Sequence, residues 1–181
     1  MKILIASDIH GSELYCKQLF DAVEREEAHK ILLLGDLLYH GPRNDLPDGY
    51  APKKVIEILN SYKEKIIAVR GNCDTEVDQM VLDFPILADY GILLCGNRTV
   101  YATHGHLFNP ENPPKLSCGD ILLTGHTHIT ACEEREGFYY INPGSVSIPK
   151  ADTKRGYVIF ENETFIFKDL DGQILNKISF Q

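Results

Sequence analysis

Five short apolar runs in this chain break off into residues that could hold metals. The breaks are Asp8-Ile9-His10, Gly35-Asp36, Gly71-Asn72-Cys73-Asp74, His104-Gly105-His106 and Gly125-His126-Thr127-His128. Most have a glycine beside the donor, where the backbone can turn sharply and a ligand can approach closely. Gathered on one rim, Asp8, His10, Asp36, Asn72, His104, His126 and His128 form a cluster that is costly to bury uncompensated. A cation removes that cost. The set exceeds what one tetrahedral zinc takes. It suits two divalent ions roughly 3.5–4 Å apart, the arrangement that activates water and stabilises both oxygens of an in-line displacement at phosphorus. Carboxylate, amide and imidazole donors without thiolate favour Mn²⁺, with Zn²⁺, Fe or Ni²⁺ as alternatives, over Cu(I) or an iron–sulfur cluster.

Positioning these donors requires strands that end side by side. Ile121-Leu122-Leu123, running into Gly125, reads as a strand buried on both faces, and ligands collect at the carboxyl ends of such strands. Residues 2–7 and 30–34 read the same way. Between them lies a helix over roughly 13–28, N-capped by Ser12, with Cys16, Leu19, Phe20 and Val23 on its inner face. A second helix opens near Pro52 and presents Val55, Ile58, Leu59 and Tyr62, before a third strand over 65–69. The first half is therefore βαβαβ, with right-handed crossovers.

The second half is mainly hairpins. Strands 92–95 and 99–103 flank Gly96-Asn97, strands 129–135 and 138–141 flank Glu136-Gly137, and residues 156–180 form a closing meander turning at Asn162 and Asp171-Gly172. The expected class is α/β: a four-layer αββα sandwich of two mixed sheets packed face to face with helices outside. A length of 181 residues suits one domain, residues 1–181.

Composition narrows the setting. Apolar content of 44% and charged content of 24% match a soluble globular protein, with no apolar run long enough to span a bilayer and no secretory signal at the start. Five cysteines without a CxxC pair point to a reducing cytoplasm. Of these, Cys16, Cys95, Cys118 and Cys132 fall in or beside apolar runs and are expected in or near the core. A net charge of −8, spread along the chain, weighs against nucleic acid as a stable partner.

Taken together, Asp8-x-His10, Gly35-Asp36, Gly71-Asn72-x-Asp74, His104 and Gly125-His126-x-His128 resemble, in order and spacing, the signature of the calcineurin-like metallophosphoesterases. The DIHG opening, GDLLYHG and Asn142-Pro143-Gly144-Ser145 are similar to the family's short bacterial and archaeal branch. The resemblance implies a metal-dependent phosphodiesterase. One metal would take Asp8, His10, Asp36 and His128; the other would take Asp36, Asn72, His104 and His126. A hydroxide bridging them would attack phosphorus, and Asp74 would orient a ligand from behind.

One departure stands out. Family members commonly carry histidine, thought to assist the leaving group, where this chain has Cys73. A thiol is a weak proton donor, so Cys73 is either a modified catalytic position or a small filler. His40, Arg43 and Asn44, in a turn-rich loop after Asp36, and His106, beside His104, are candidate contacts to a small or extended phosphodiester. The same motifs serve a phosphomonoesterase. Some branch members of similar fold work as non-catalytic interaction scaffolds, but here each metal position carries a competent ligand. Repair nucleases share the signature and usually add segments that grip DNA, which length and acidity argue against. A homo-oligomer formed through an exposed strand of the closing meander stays open.

Overall fold

The structure, a computed structural model, describes residues 1–180. Its strands are β1 (Ile3–Ala6), β2 (Lys30–Leu33), β3 (Ile66–Ala68), β4 (Tyr90–Cys95), β5 (Arg98–Thr103), β6 (Asp120–Leu123), β7 (Thr130–Arg135), β8 (Phe138–Pro143), β9 (Gly156–Glu161), β10 (Thr164–Asp169) and β11 (Ile174–Ser179). The helices are α1 (Glu13–Arg25), α2 (Pro52–Ser61) and the single turn α3 (Glu76–Gln79). One sheet runs β11-β10-β9-β1-β2-β3 and the other β4-β5-β6-β8-β7.

Strand alternation explains how the sheets pack. Leu4, Ala6, Ile31, Leu33, Ile66 and Ala68 point one way, under Cys16, Leu19, Phe20 and Val23 of α1 and Val55 and Leu59 of α2. Ile3, Ile5 and Leu32 point the other way and meet Val100, Ala102, Ile121, Leu123 and Ile141 of the second sheet. The central strands are thus apolar on both faces, as parallel strands covered on each side must be. The expected α/β class with two mixed sheets face to face is the one adopted, but both longer helices cover the six-stranded sheet, where the four-layer αββα expectation had helices on both outer faces. The buried faces of α1 and α2 lie against the six-stranded sheet. On the outer face of the other sheet, Phe108 and Pro114 from the loop 104–119 sit beside Tyr90 and Tyr101.

Two parallel groups set the rim. β1 pairs with β2 and β2 with β3, all parallel; β5 pairs with β6 and β6 with β8, also parallel. The hairpins β4–β5 and β7–β8 form as expected, and β6 inserts between them. Every donor-bearing break noted in the sequence follows one of these parallel strands.

Two local expectations change. Helix α1 stops at Arg25 rather than near 28, because Glu27 adopts left-handed backbone (φ 52°) and the chain turns to bury Ala28. Cys16 and Cys95 are buried and Cys132 half-buried, but Cys118 is exposed. Hydrogen bonds between Ser117 and Asp120, from the Ser117 N–H to the Asp120 carboxylate and from the Asp120 N–H to the Ser117 carbonyl, close a tight turn with Cys118 at its tip.

Candidate metal centre

The donor residues occupy backbone that other residues avoid. Asp8 (φ 60°), His10 (φ 48°), Asp36 (φ 55°), His126 (φ 67°) and His128 (φ 62°) are all left-handed. Asp, Asn and His tolerate this region better than most, yet a cluster of such residues marks strain stored at a functional site. Close packing holds it in place. A Cβ on Gly125 would collide with the Ser7 side chain, and one on Gly71 with the Asp36 backbone and carboxylate. Hydrogen bonds tie adjacent strand ends: Asp8 N–H to Gly35 carbonyl (3.1 Å), His10 N–H to Asp36 carbonyl (2.9 Å) and Gly125 N–H to His104 carbonyl (2.8 Å).

The seven donors converge as two adjoining nests. In the first, His10 Nε2 lies 3.2 Å from His128 Nε2 and 3.5 Å from Asp8 Oδ1, which is 3.2 Å from His128 Nε2. In the second, His104 Nε2 lies 3.1 Å from Asn72 Oδ1 and 3.2 Å from His126 Nδ1. Asp36 Oδ2 stands between them, 3.6 Å from His10 Nε2 and 3.5 Å from His104 Nε2.

Proton positions decide what this crowd can do. His10, His104 and His128 each place Nδ1 2.7 Å from a backbone carbonyl, of Tyr39, Leu34 and Ile148 respectively. A carbonyl only accepts, so each Nδ1 carries a proton, and each Nε2, aimed inward, offers its lone pair to a cation or takes a second proton when none is bound. Asp8 Oδ2 accepts from the His126 N–H (3.0 Å), while Asp8 Oδ1, fully buried, has no hydrogen-bond partner. Lone pairs facing lone pairs around an orphaned carboxylate oxygen fit a bound cation.

Titration follows the same logic. Burial acts to raise Asp8, but the close imidazoles of His10, His128 and His104 outweigh it and hold the carboxyl well below its usual range. Asp36 is likewise lowered, burial being outweighed by His104. Burial would depress His104, yet Asp36 and Asp8 bring it up to about 9, and His10 is raised for the same reasons. His126 and His106 move down, through burial and then the neighbouring charge of His104.

Asp74 is a brace. Its Oδ2 accepts from the N–H of Asp36 (2.8 Å) and of Gly71 (2.7 Å), and its Oδ1 from the N–H of Leu37 (2.9 Å). Burial raises its pKa despite these bonds. Asn142 works similarly beneath the other nest, donating to the Gly125 carbonyl (2.7 Å), and the Ser145 and Ser147 hydroxyls both donate to the Asp8 carbonyl (2.8 and 3.0 Å). The Asn142–Ser145 motif therefore supports the ligand loops.

Other candidates separate. Arg43 and Asn44 line the cleft of about 430 Å³ above the centre, together with Cys73, Thr127 and Lys150. His40 is turned away from it, with its ring edge-on to Tyr39 (centroids 4.8 Å apart) and Tyr50 (5.3 Å). His106 stands behind the centre, its ring 5.4 Å from that of His104, with Nδ1 buried and unpartnered. Sequence reasoning missed Lys150, because a lone lysine after Ile148-Pro149 carries no spacing signal; the fold brings it to the mouth by bonding its N–H to the His128 carbonyl (3.0 Å).

Fold and site together define a metal-dependent phosphoesterase. A domain model described as the calcineurin-like phosphoesterase superfamily domain matches residues 1–164, and the chain belongs to that superfamily. It is 47% identical over 173 residues to Phosphodiesterase YfcE of Escherichia coli K12, covering 96% of this chain and 94% of that one. The structure of YfcE, described as a phosphoesterase from E. coli, superposes with a TM-score of 0.95 over the full length of both chains at 46% identity. A Vps29 from Entamoeba histolytica shares the fold at a TM-score of 0.63 and 21% identity, over the full length of both chains.

Two outcomes follow from the proton arrangement. With its folded pKa near 9 against an ordinary 6.5, protonated His104 contributes stability that is complete below pH 6.5 and lost as pH rises through 9. Chelator-treated protein should lose thermal stability across that interval, while Mn²⁺ affinity measured by calorimetry rises, since the metal displaces the proton. A pH-independent affinity would contradict this. Asp74→Asn places a donor against N–H groups and should cost about 1–3 kcal/mol in denaturant unfolding and about 10–100-fold in metal affinity.

Proposed function

We propose that this chain hydrolyses phosphodiesters, using two divalent ions held by Asp8, His10, Asp36 and His128 on one side and by Asp36, Asn72, His104 and His126 on the other. The reading is carried by Asp36 Oδ2, placed 3.6 Å from His10 and 3.5 Å from His104, where one carboxylate joins the two nests. Bound ions supply an acidified water and neutralise charge on the phosphoryl oxygens. The chain does the rest. Three backbone carbonyls hold His10, His104 and His128 in the tautomer that leaves Nε2 free, and Asp74 fixes the Asp36 backbone. Arg43 and Lys150, at the mouth of an otherwise acidic protein, draw in and orient the phosphate.

Manganese is the ion we place first, from the mixture of oxygen and imidazole donors. The cytoplasm is the compartment we infer, as five unpaired thiols suit a reducing setting. No helix among the described residues is long and apolar enough to cross a membrane.

Cys73 sits at the mouth with Sγ near His10 and Asp36. Burial and the Asp36 charge push its thiol up to about 12. In the metal-free chain a thiol so held stays protonated, beside bound cations it ionises more readily, and in either state it is a poor proton donor to a leaving group. Its Sγ also receives the Asn72 amide (3.2 Å). Replacement by histidine puts a better proton donor at the same edge of the site.

The test is hydrolysis of bis-p-nitrophenyl phosphate and p-nitrophenyl phosphate by chelator-stripped protein after separate additions of Mn²⁺, Mg²⁺, Zn²⁺ and Ni²⁺. Diester cleavage restored best by Mn²⁺ and reduced more than about a hundredfold in Asp36→Ala is expected, since even outer partners of a metal are worth ten- to a hundredfold. Preference for the monoester would make the chain a phosphatase. Inactivity with two ions demonstrably bound would favour a scaffold. Cys73→His should keep metal binding and raise turnover on at least one of these substrates; equal or lower turnover in a folded, metal-loaded variant refutes the donor argument.

A further inference from the structure

Next to the metal mouth, and sharing Cys73 with it as a common wall, lies a second cleft of about 390 Å³ with a different character. The mouth is lined by charged and amide groups. The second cleft is walled by Tyr39, Tyr50, Ile56, Val77 and Val81. Its apolar walls face solvent: Val77 is 70% exposed, Tyr39 43% and Val81 42%. A contiguous apolar surface on a chain otherwise rich in charge usually marks a binding site.

The walls are also held in place. Tyr39 and Tyr50 are wedged apart by the His40 ring, which meets both nearly edge-on, at interplanar angles of 71° and 80°. Tyr39 is anchored through its carbonyl, which receives the His10 Nδ1–H. The turn carrying Val77 buries no side chain of its own; Thr75 and Asp78 close it through a reciprocal cap, and the Asn60 amide donates to the Val81 carbonyl (3.0 Å). These bonds position apolar side chains that contribute nothing to the core.

We propose that this cleft is a subsite for a flat aromatic group carried on the substrate phosphate, directly or through a sugar, and that it makes the enzyme selective for diesters carrying such a group. The inference rests on the phosphodiesterase reading of the metal mouth. With phosphorus at the Asp36 end of the mouth and its charge facing Arg43 and Lys150, the way past Cys73 leads into the cleft that Tyr39, Tyr50 and the two valines line. A ring there stacks on phenol faces and rests on the valine methyls, burying on the order of 150–250 Å² of mostly apolar surface. His40 acts here as a positioning residue for the tyrosines rather than as a phosphate contact.

The test measures binding, so it does not depend on turnover. Zn²⁺-loaded protein with labelled isoleucine and valine methyls is titrated with diphenyl phosphate, with dimethyl phosphate, and with the dinucleotide thymidylyl-thymidine; affinities are taken by calorimetry. Diphenyl phosphate is expected to shift the Ile56, Val77 and Val81 methyls and to bind about tenfold or more tightly than dimethyl phosphate. In the double variant Val77→Asp/Val81→Asp, whose positions are exposed and tolerant, that ratio should fall to about threefold or less. The dinucleotide separates a base from a plain aryl ring, and shifts at these methyls from either one support the subsite. An undiminished ratio in the variant, or aromatic diesters that leave all three methyls unmoved, overturns it. A protein that shows these shifts yet cleaves no diester with any metal would refute the proposed reaction and leave the subsite standing. Cleavage without aromatic preference would do the reverse.

Discussion

Everything near the rim of this molecule answers to one electrostatic problem. Two carboxylates, four imidazoles and the Asn72 amide form a chain of neighbours in which successive groups lie 3.1–3.6 Å apart. Asp8, His10, His104 and His128 are almost wholly buried, so solvent screens little of this. In the protein alone, the balance is struck by protons: the carboxyls are held ionised and His104 is raised until it carries a compensating charge. Divalent ions do the same task with more charge in less space, which is why metal and proton compete for these groups.

The scaffold must hold such groups together against their repulsion, and it does so with backbone. Carbonyls of Tyr39, Leu34 and Ile148 fix three imidazoles, while Asp74 collects three backbone N–H groups at the junction of β2 and β3. Left-handed conformations at five donors aim side chains inward from strand ends where ordinary backbone would splay them. The apolar strands beneath provide the rigidity: β1 and β6 are buried along their whole length at the centres of the two sheets. Strain at the rim persists because the layers below cannot relax to relieve it.

Around this centre the surface divides by chemistry. One side carries Arg43 and Lys150, suited to phosphate oxygens, and the other carries exposed tyrosine and valine side chains. Cys73 lies on the boundary. A position that touches both the reacting centre and the apolar cleft can influence proton transfer and substrate choice at once, and a small thiol leaves more room there than an imidazole would.

Much of the fold was legible along the chain, because a strand covered on both faces must be continuously apolar and an amphipathic helix must repeat its apolar face. Residues 3–6, 31–33 and 121–123, and the inner face of α1, announced themselves in this way. The donors were legible too, since Asp, Asn and His at the ends of apolar runs serve packing poorly. Local sequence could not show where loops travel. His40 and Arg43 belong to the same loop, yet one wedges two tyrosines and the other reaches the mouth. Lys150 has no motif at all, and Cys118 sits two residues before a buried strand but at the tip of a turn. The sequence by itself determined which residues form the layers and which groups could meet a cation, because periodicity and residue chemistry are local properties. Only the tertiary structure decided how those groups pair, which cationic side chains line the mouth, and that an apolar cleft opens beside Cys73, because each depends on segments far apart in the chain arriving at the same few ångströms.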